Sequence, residues 1–323
     1  MTPPLTRRQF LAATLASAAA ANASRAWAAD APAPTSVIPG FHFTEQEGGR
    51  LLLTENGKPV LTYNFGDQLK EGVPPDRKRS CYVHPVWGLD GEVLTDDFPK
   101  DHYHHRGLAW MWQRIRVDGK EAAIWAIKGV RQHFVKWLDR KADAGAATFA
   151  VENQWIMDDK KKVAKETVRL TVHKTEAAGR AIDAEITLES LGPTITVLGE
   201  PTKGYGGFCV RFAPRTETVM TTEKGVVPKD TDLERVPWAD LSAKFEGRPT
   251  PSGIAIFVNA SNPLAPNTWT LRDYGFLGPC WPGLETATLE PGKPVTFKYR
   301  VWVHRGDAAA GGVKEAFEAF RKV

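Results

Sequence analysis

Four of the chain's eight histidines fall in one stretch, Ser80 to Trp112, as His84, His102, His104 and His105. Asp96, Asp97, Asp101 and Arg106 lie among them, with Trp87, Trp110 and Trp112 around the edge. Imidazole is the side chain whose unperturbed pKa sits near neutrality, and it is the commonest metal ligand. Mixed with carboxylates, a guanidinium and indoles, these imidazoles make poor core material and good material for a site. Three uses stay open. In an extended His102-Tyr103-His104-His105-Arg106 segment, His102 and His104 point one way and His105 the other. That pair with His84 would ligate a divalent metal, with Asp101 or Asp97 as an oxygen ligand. Without metal, His102 or His104 would be the catalytic acid or base, Asp101 would orient an imidazole, and Arg106 would hold developing negative charge. The plainest use is structural, with the histidines capping loop carbonyls and bonding Asp96 and Asp97. No cofactor is certain on these residues; a divalent metal is the one candidate.

The chain has eleven tryptophans, three of them within this stretch. Most tryptophans are core residues, yet Trp87, Trp238 and Trp281 sit in loops rich in Pro and Gly. Indole faces beside His, Asp and Arg suit sugars, whose ring faces stack while their hydroxyls need hydrogen-bond partners. On that basis the expected substrate-binding set is His84, His105, Trp110, Tyr205, Arg211, Trp238 and Arg272. The expected partner is a small-molecule sugar or glycoside. A GxSxG elbow, a P-loop and a helical HExxH are all missing from the sequence.

Short apolar runs with period-two alternation must position these residues. Strands are expected over Arg50–Thr54 and Lys58–Asn64, joined by a hairpin at Asn56-Gly57. The histidine stretch reads as a long loop feeding a strand over Leu108–Val117, which turns at Asp118-Gly119. Further strands are expected over Lys128–Trp137, Ala147–Met157, Thr167–Lys174 and Ala181–Ser190. Thr194–Leu198 and Phe208–Phe212 flank the glycine turn Lys203–Gly207, which lacks the GxGxxG spacing of a dinucleotide site. Residues 223–250 read as irregular, and Gly253–Asn259, Thr268–Arg272 and Pro294–His304 again as strands. Only Ala308–Arg321 has helical periodicity, with Val313, Phe317 and Phe320 on one face. The fold class is therefore all-β, an antiparallel β-sandwich with one C-terminal helix.

The N-terminus belongs to export rather than to this fold. Thr6–Leu11 carries a twin-arginine signature, an Ala/Leu-rich run follows, and Ala26-Trp27-Ala28 offers a cleavage site. Residues 1–28 are thus expected to be a twin-arginine signal and 29–38 a Pro/Ala linker. Residues 39–323 are expected to form a single domain, periplasmic or secreted. Removing Arg7, Arg8 and Arg25 with a signal that holds no acid takes the formal charge from +4 to +1. That near-neutral balance, with no basic stripe, argues against a nucleic-acid partner. After the signal no apolar run is long enough to span a membrane. Cys81, Cys209 and Cys280 allow one disulfide at most.

Taken together, CYVHPVWGLDGEVLTDDFPKDHYHHRGLAWMW, KGYGGFCVRF, the stretch from Trp238 to Gly275, and FKYRVWVHRGD resemble a bacterial family of unknown function. Its members are often labelled methane oxygenase PmoA or PmoA-like. The matching positions here include His84, Asp97, Asp101, His102, His104, His105, Arg106, Tyr205, Arg211 and Arg272. The missing membrane spans argue against the chemistry in that label. The resemblance implies instead a galactose-mutarotase-like supersandwich and a carbohydrate-active enzyme of epimerase, lyase or hydrolase type. A non-catalytic sugar-binding protein and a metal-dependent enzyme are the alternatives.

Overall fold

The period-two alternation of the sequence becomes three sheets whose strands pair antiparallel with their neighbours. The computed structural model describes residues 38–322. The expected export signal, and the linker apart from Ile38, lie outside them. From edge to edge the first sheet runs Phe41–Gln46, Arg50–Glu55, Lys58–Asn64, Tyr82–Val86, Leu108–Met111, Gly207–Arg211, Phe276–Cys280, Thr268–Arg272 and Thr231–Arg235. The second runs Gly225–Val227, Arg215–Thr222, Trp238–Phe245, Ser252–Val258, Val295–Arg305, Gly179–Ser190, Lys161–His173, Ala146–Met157 and Val130–Ala142. A small third sheet holds Thr286–Leu289, Ile195–Leu198, Arg114–Val117 and Lys120–Ala122. One helix, Val313–Phe320, closes the chain.

The two large sheets face each other across one apolar core. Phe208 of the first stacks on Tyr299 of the second at 4.5 Å, and Tyr63 meets Phe149 at 5.1 Å. A carboxylate pins the layers together. Glu166, wholly buried, accepts hydrogen bonds from Trp110 Nε1, Trp155 Nε1 and Gln132 Nε2 at 2.8 Å and from Asn153 Nδ2 at 2.9 Å. Burial raises its pKa, and these four donors oppose that rise.

Both hairpins occur where the dipeptides put them. Asn56 and Gly57 have φ of 50° and 76°, and Asp118 and Gly119 have 49° and 78°, the doubly positive pairs of a type I′ turn. The all-β class with one C-terminal helix also holds. Three expectations need correction. Leu108–Val117 is two strands, and the chain leaves the first sheet for the third at Trp112-Gln113. Residues 223–250 are not irregular: they contain Gly225–Val227, Thr231–Arg235 and Trp238–Phe245. Trp238–Phe245 is buried on both faces, so the alternation that marks a half-buried strand is absent from it. The helix starts at Val313 rather than Ala308, after Gly312 takes a φ of 60°. Its buried face is the expected one, Val313, Phe317 and Phe320.

Candidate functional site

The site lies on the outer face of the first sheet. In Thr268–Arg272, Trp269 and Leu271 enter the core while Thr270 and Arg272 face outward to a cavity. Leu277 likewise faces inward, and its neighbour Phe276 lines that cavity. Over the middle of this face the chain builds a ridge from Thr95 to Arg106. Single bridges tie Thr95 to Phe212 and Asp97 to Arg106. Turns follow, with His102 N–H donating to Pro99 O at 3.0 Å and His105 N–H to His102 O at 2.8 Å.

The histidine segment is therefore wound rather than extended. His102 and His105, three residues apart, stack with ring centroids at 4.7 Å and planes 6° apart. His104 meets His102 edge-on at 5.5 Å. Tyr274 stacks with His102 at 5.6 Å and 10°, so that ring lies parallel to two others.

Asp101 governs the orientation of His102. Its Oδ2 is 2.8 Å from His102 Nδ1, and Arg211 Nη2 donates to both its oxygens at 3.0 and 3.1 Å. Partial burial would raise this carboxyl, but the hydrogen bonds from His102 and the Arg211 charge outweigh it, so its pKa is lowered. An ionised Asp101 makes Nδ1 the protonated nitrogen. Nε2 then carries the free lone pair, on a side chain 38% exposed. Arg211 is itself nearly buried and lies 4.8 Å from the Tyr274 ring centroid, with Nε and Nη1 unpartnered.

The cavity beside this dyad measures about 420 Å³. His102, His104, His105, Trp125, Tyr205 and Tyr274 line it, with Gln113, Lys203, Thr270, Arg272 and Phe276. Burial, then the neighbouring His102, lowers His104 to about 4. Burial, then His104 and His102, pushes His105 further down. Both rings are neutral near pH 7. His105 Nδ1 and Gln113 Oε1 are buried without protein partners. Burial raises the Tyr205 phenol, which keeps its proton. Gly206 and Gly207 present Tyr205 with φ of 145° and 124°, values that side chains rarely adopt.

Of the expected site residues, Asp101, His102, His104, His105, Tyr205 and Arg211 gather at this cavity or directly behind it. The others do different work. Arg106 is fully buried: its guanidinium donates to the carbonyls of Tyr103, His105 and Arg77 and lies 3.5 Å from the Phe98 ring centroid. Those three bonds hold the ridge, Nε is buried 3.4 Å from Asp97 Oδ1 with no hydrogen-bond partner, and Arg106 does not line the cavity. Trp110 is a core residue, 1% exposed, bound to Glu166. Trp238 packs with the C-terminal helix in a separate cluster. Arg272 reaches the cavity wall, but Asp232 holds its Nη2 at 2.7 and 2.8 Å. His84 bonds Thr95 Oγ1 at 3.0 Å and lines other cavities on the same face. His84, His102 and His104 do not converge, and among the described residues no group of three His, Cys, Asp or Glu is placed to hold a metal ion. The three cysteines are buried free thiols.

Gln113, Lys203, Thr270 and Phe276 were not foreseen. Alternation within Thr268–Arg272 would have found Thr270; Gln113 sits at the sheet change, which leaves no local signal.

These features define an all-β sandwich that carries a His–Asp–Arg cluster on the outer face of one sheet. Residues 50–318 match the family of unknown function DUF6807, and the chain belongs to that family. No curated protein matches it. Among solved structures it is similar to a putative kojibiose phosphorylase from the human microbiome, at 12% identity and TM-score 0.39. That likeness covers 85% of this chain but only 32% of the phosphorylase, so this chain spans about a third of that protein. It is also similar to a GalM/aldose epimerase homologue from C. elegans, at 8% identity and TM-score 0.35 over 84% of this chain and 100% of the other. A galactose 1-epimerase from Lactobacillus acidophilus NCFM is similar at 8% identity and TM-score 0.37, over 82% and 94%. At such identities no residue role passes from those proteins to this one. No helix among the described residues is long and apolar enough to cross a membrane.

Proposed function

We propose that this protein is an exported enzyme that moves a proton on a sugar or glycoside, as an isomerase, epimerase or lyase does. The observation that carries this reading is His102, fixed by Asp101 at 2.8 Å and stacked with the His105 and Tyr274 rings beside a cavity of sugar size. His102 Nε2 accepts a proton from the substrate, and the Asp101 carboxylate stabilises the imidazolium that results. The Tyr205 phenol and the neutral His104 and His105 bind hydroxyls, and Tyr205 can return a proton from across the cavity. Trp125, nearly buried, adds an apolar patch to the cavity wall. Glycoside hydrolysis fits less well, since it ordinarily needs two carboxyl groups flanking the bond, and no Asp or Glu lines this cavity.

The test is incubation with a panel of aldoses, ketoses and methyl glycosides in D₂O, followed by proton NMR for anomeric exchange, C–H wash-out or elimination. The expected result is turnover of at least one member, falling on the order of 100-fold in His102→Ala while binding persists. Undiminished turnover in that variant would sink the reading. Binding with no turnover anywhere in the panel would make the protein a sugar-binding module instead.

A further inference from the structure

The ridge has two flanks, and the second carries its own cleft. In Lys58–Asn64, Leu61 and Tyr63 enter the core, so Thr62 and Asn64 face outward on the sheet face that bears His102. There they line a cavity of about 460 Å³ with His84, Trp87, Tyr82 and Asp97. None of these residues lines the His102 cavity.

The polar groups are fixed by their neighbours. Thr95 Oγ1 accepts the Val86 N–H at 3.0 Å and pairs with His84 Nδ1 at 3.0 Å. Burial lowers His84 to about 4, so the ring is neutral near pH 7 and keeps one donor and one acceptor nitrogen. Asn64 spends one amide N–H on the His84 carbonyl at 2.8 Å. Asp97 accepts the Tyr82 hydroxyl at 2.8 Å and has Arg106 Nε at 3.4 Å as its counter-charge. Thr62 is 3% exposed, and Trp87 is half-buried. A paired charge, a neutral imidazole, an amide, a hydroxyl and an indole match a polyhydroxylated ring better than an ion or a lipid.

We propose that this cleft is a second carbohydrate site, which takes one neutral pyranose unit against Trp87 with Thr62, Asn64, His84 and Asp97 as hydrogen-bond partners. It stands on residues separate from the activity proposed above and shares with it only the class of ligand.

Isothermal titration of the mature chain with the methyl α- and β-pyranosides of glucose, galactose and mannose tests it. The wild type should titrate with two sites for at least one glycoside. Trp87→Ala should remove one of them, and Thr62→Val, which keeps the side-chain volume, should weaken the same one about tenfold. His102→Ala should leave that site intact. If Trp87→Ala and Thr62→Val both titrate as wild type, the second site is refuted, and the His102 reading is decided separately by its turnover. If those two variants alter binding and His102→Ala does not, this proposal stands, again with the turnover of His102→Ala deciding the other reading. No heat from any glycoside overturns the second site. Should Trp87→Ala fail to fold, Thr62→Val decides alone.

Discussion

At the scale of single residues, Asp101 and Arg106 show how close neighbours in sequence divide the work. Asp101 is half-exposed and touches His102 and Arg211 only through its carboxylate. Asp101→Asn should leave the melting temperature nearly unchanged while lowering kcat on the order of 100-fold, because an amide can feed a proton to Nδ1 and reverse the tautomer. Equal losses in stability and turnover would mean that Asp101 merely braces the loop. Arg106→Lys should do the opposite. An ammonium cannot span three carbonyls and Asp97 in the guanidinium's place, so urea unfolding should show a loss of about 2–4 kcal/mol. Composition alone marks 101–106 as a site but cannot separate these roles. His, Asp and Arg in one stretch read alike until burial is known. The same blindness put Trp110 and Trp238 in the binding set, since residue type does not tell a core indole from a ligand platform.

At the scale of elements, the hairpins and half-buried strands were legible because turn dipeptides and alternation are local signals. What failed was long-range. The switch of sheets at Trp112-Gln113 depends on which strands stand beside Leu108–Met111 and Arg114–Val117, and those come from residues 207–211 and 195–198. The winding of the ridge was likewise hidden, since an anchor such as the Arg106–Arg77 contact reaches 29 residues back. Gly107 joins that ridge to its strand and tests the arrangement. A Cβ there would stand 2.2 Å from Val83 O and 2.8 Å from His84 Cβ, both fixed by the neighbouring strand. Gly107→Ala should therefore cost about 3 kcal/mol in urea unfolding, and it should weaken turnover and glycoside binding together, as the ridge lifts off both clefts. A wild-type urea midpoint would show that the ridge and the strand are not in such close contact.

At the scale of the whole molecule, imidazoles set opposite limits on stability. His84 and His104 are pushed down to about 4, chiefly by burial, from an ordinary value near 6.5. The unfolded chain takes up these protons first, so each ring weakens the fold as pH falls from about 6.5 to about 4, by a few kcal/mol at most. Asp97, raised by burial to about 6, has the reverse sign: it binds its proton on folding and offsets part of that loss over the same range. His304 governs the other side. Burial would lower it, but the Asp240 carboxylate 2.8 Å from Nε2 and the Arg305 carbonyl 3.2 Å from Nδ1 both require a proton, and its pKa is raised. Its contribution is whole below about 6.5 and is lost as pH climbs through the raised value. Stability should thus peak near pH 6–7. Urea midpoints measured from pH 4.5 to 9 should show the alkaline decline flattened in His304→Gln, the acid decline shallower in His104→Gln, and the acid decline steeper in Asp97→Asn. An alkaline limb of unchanged slope in His304→Gln would remove the buried ion pair as its cause.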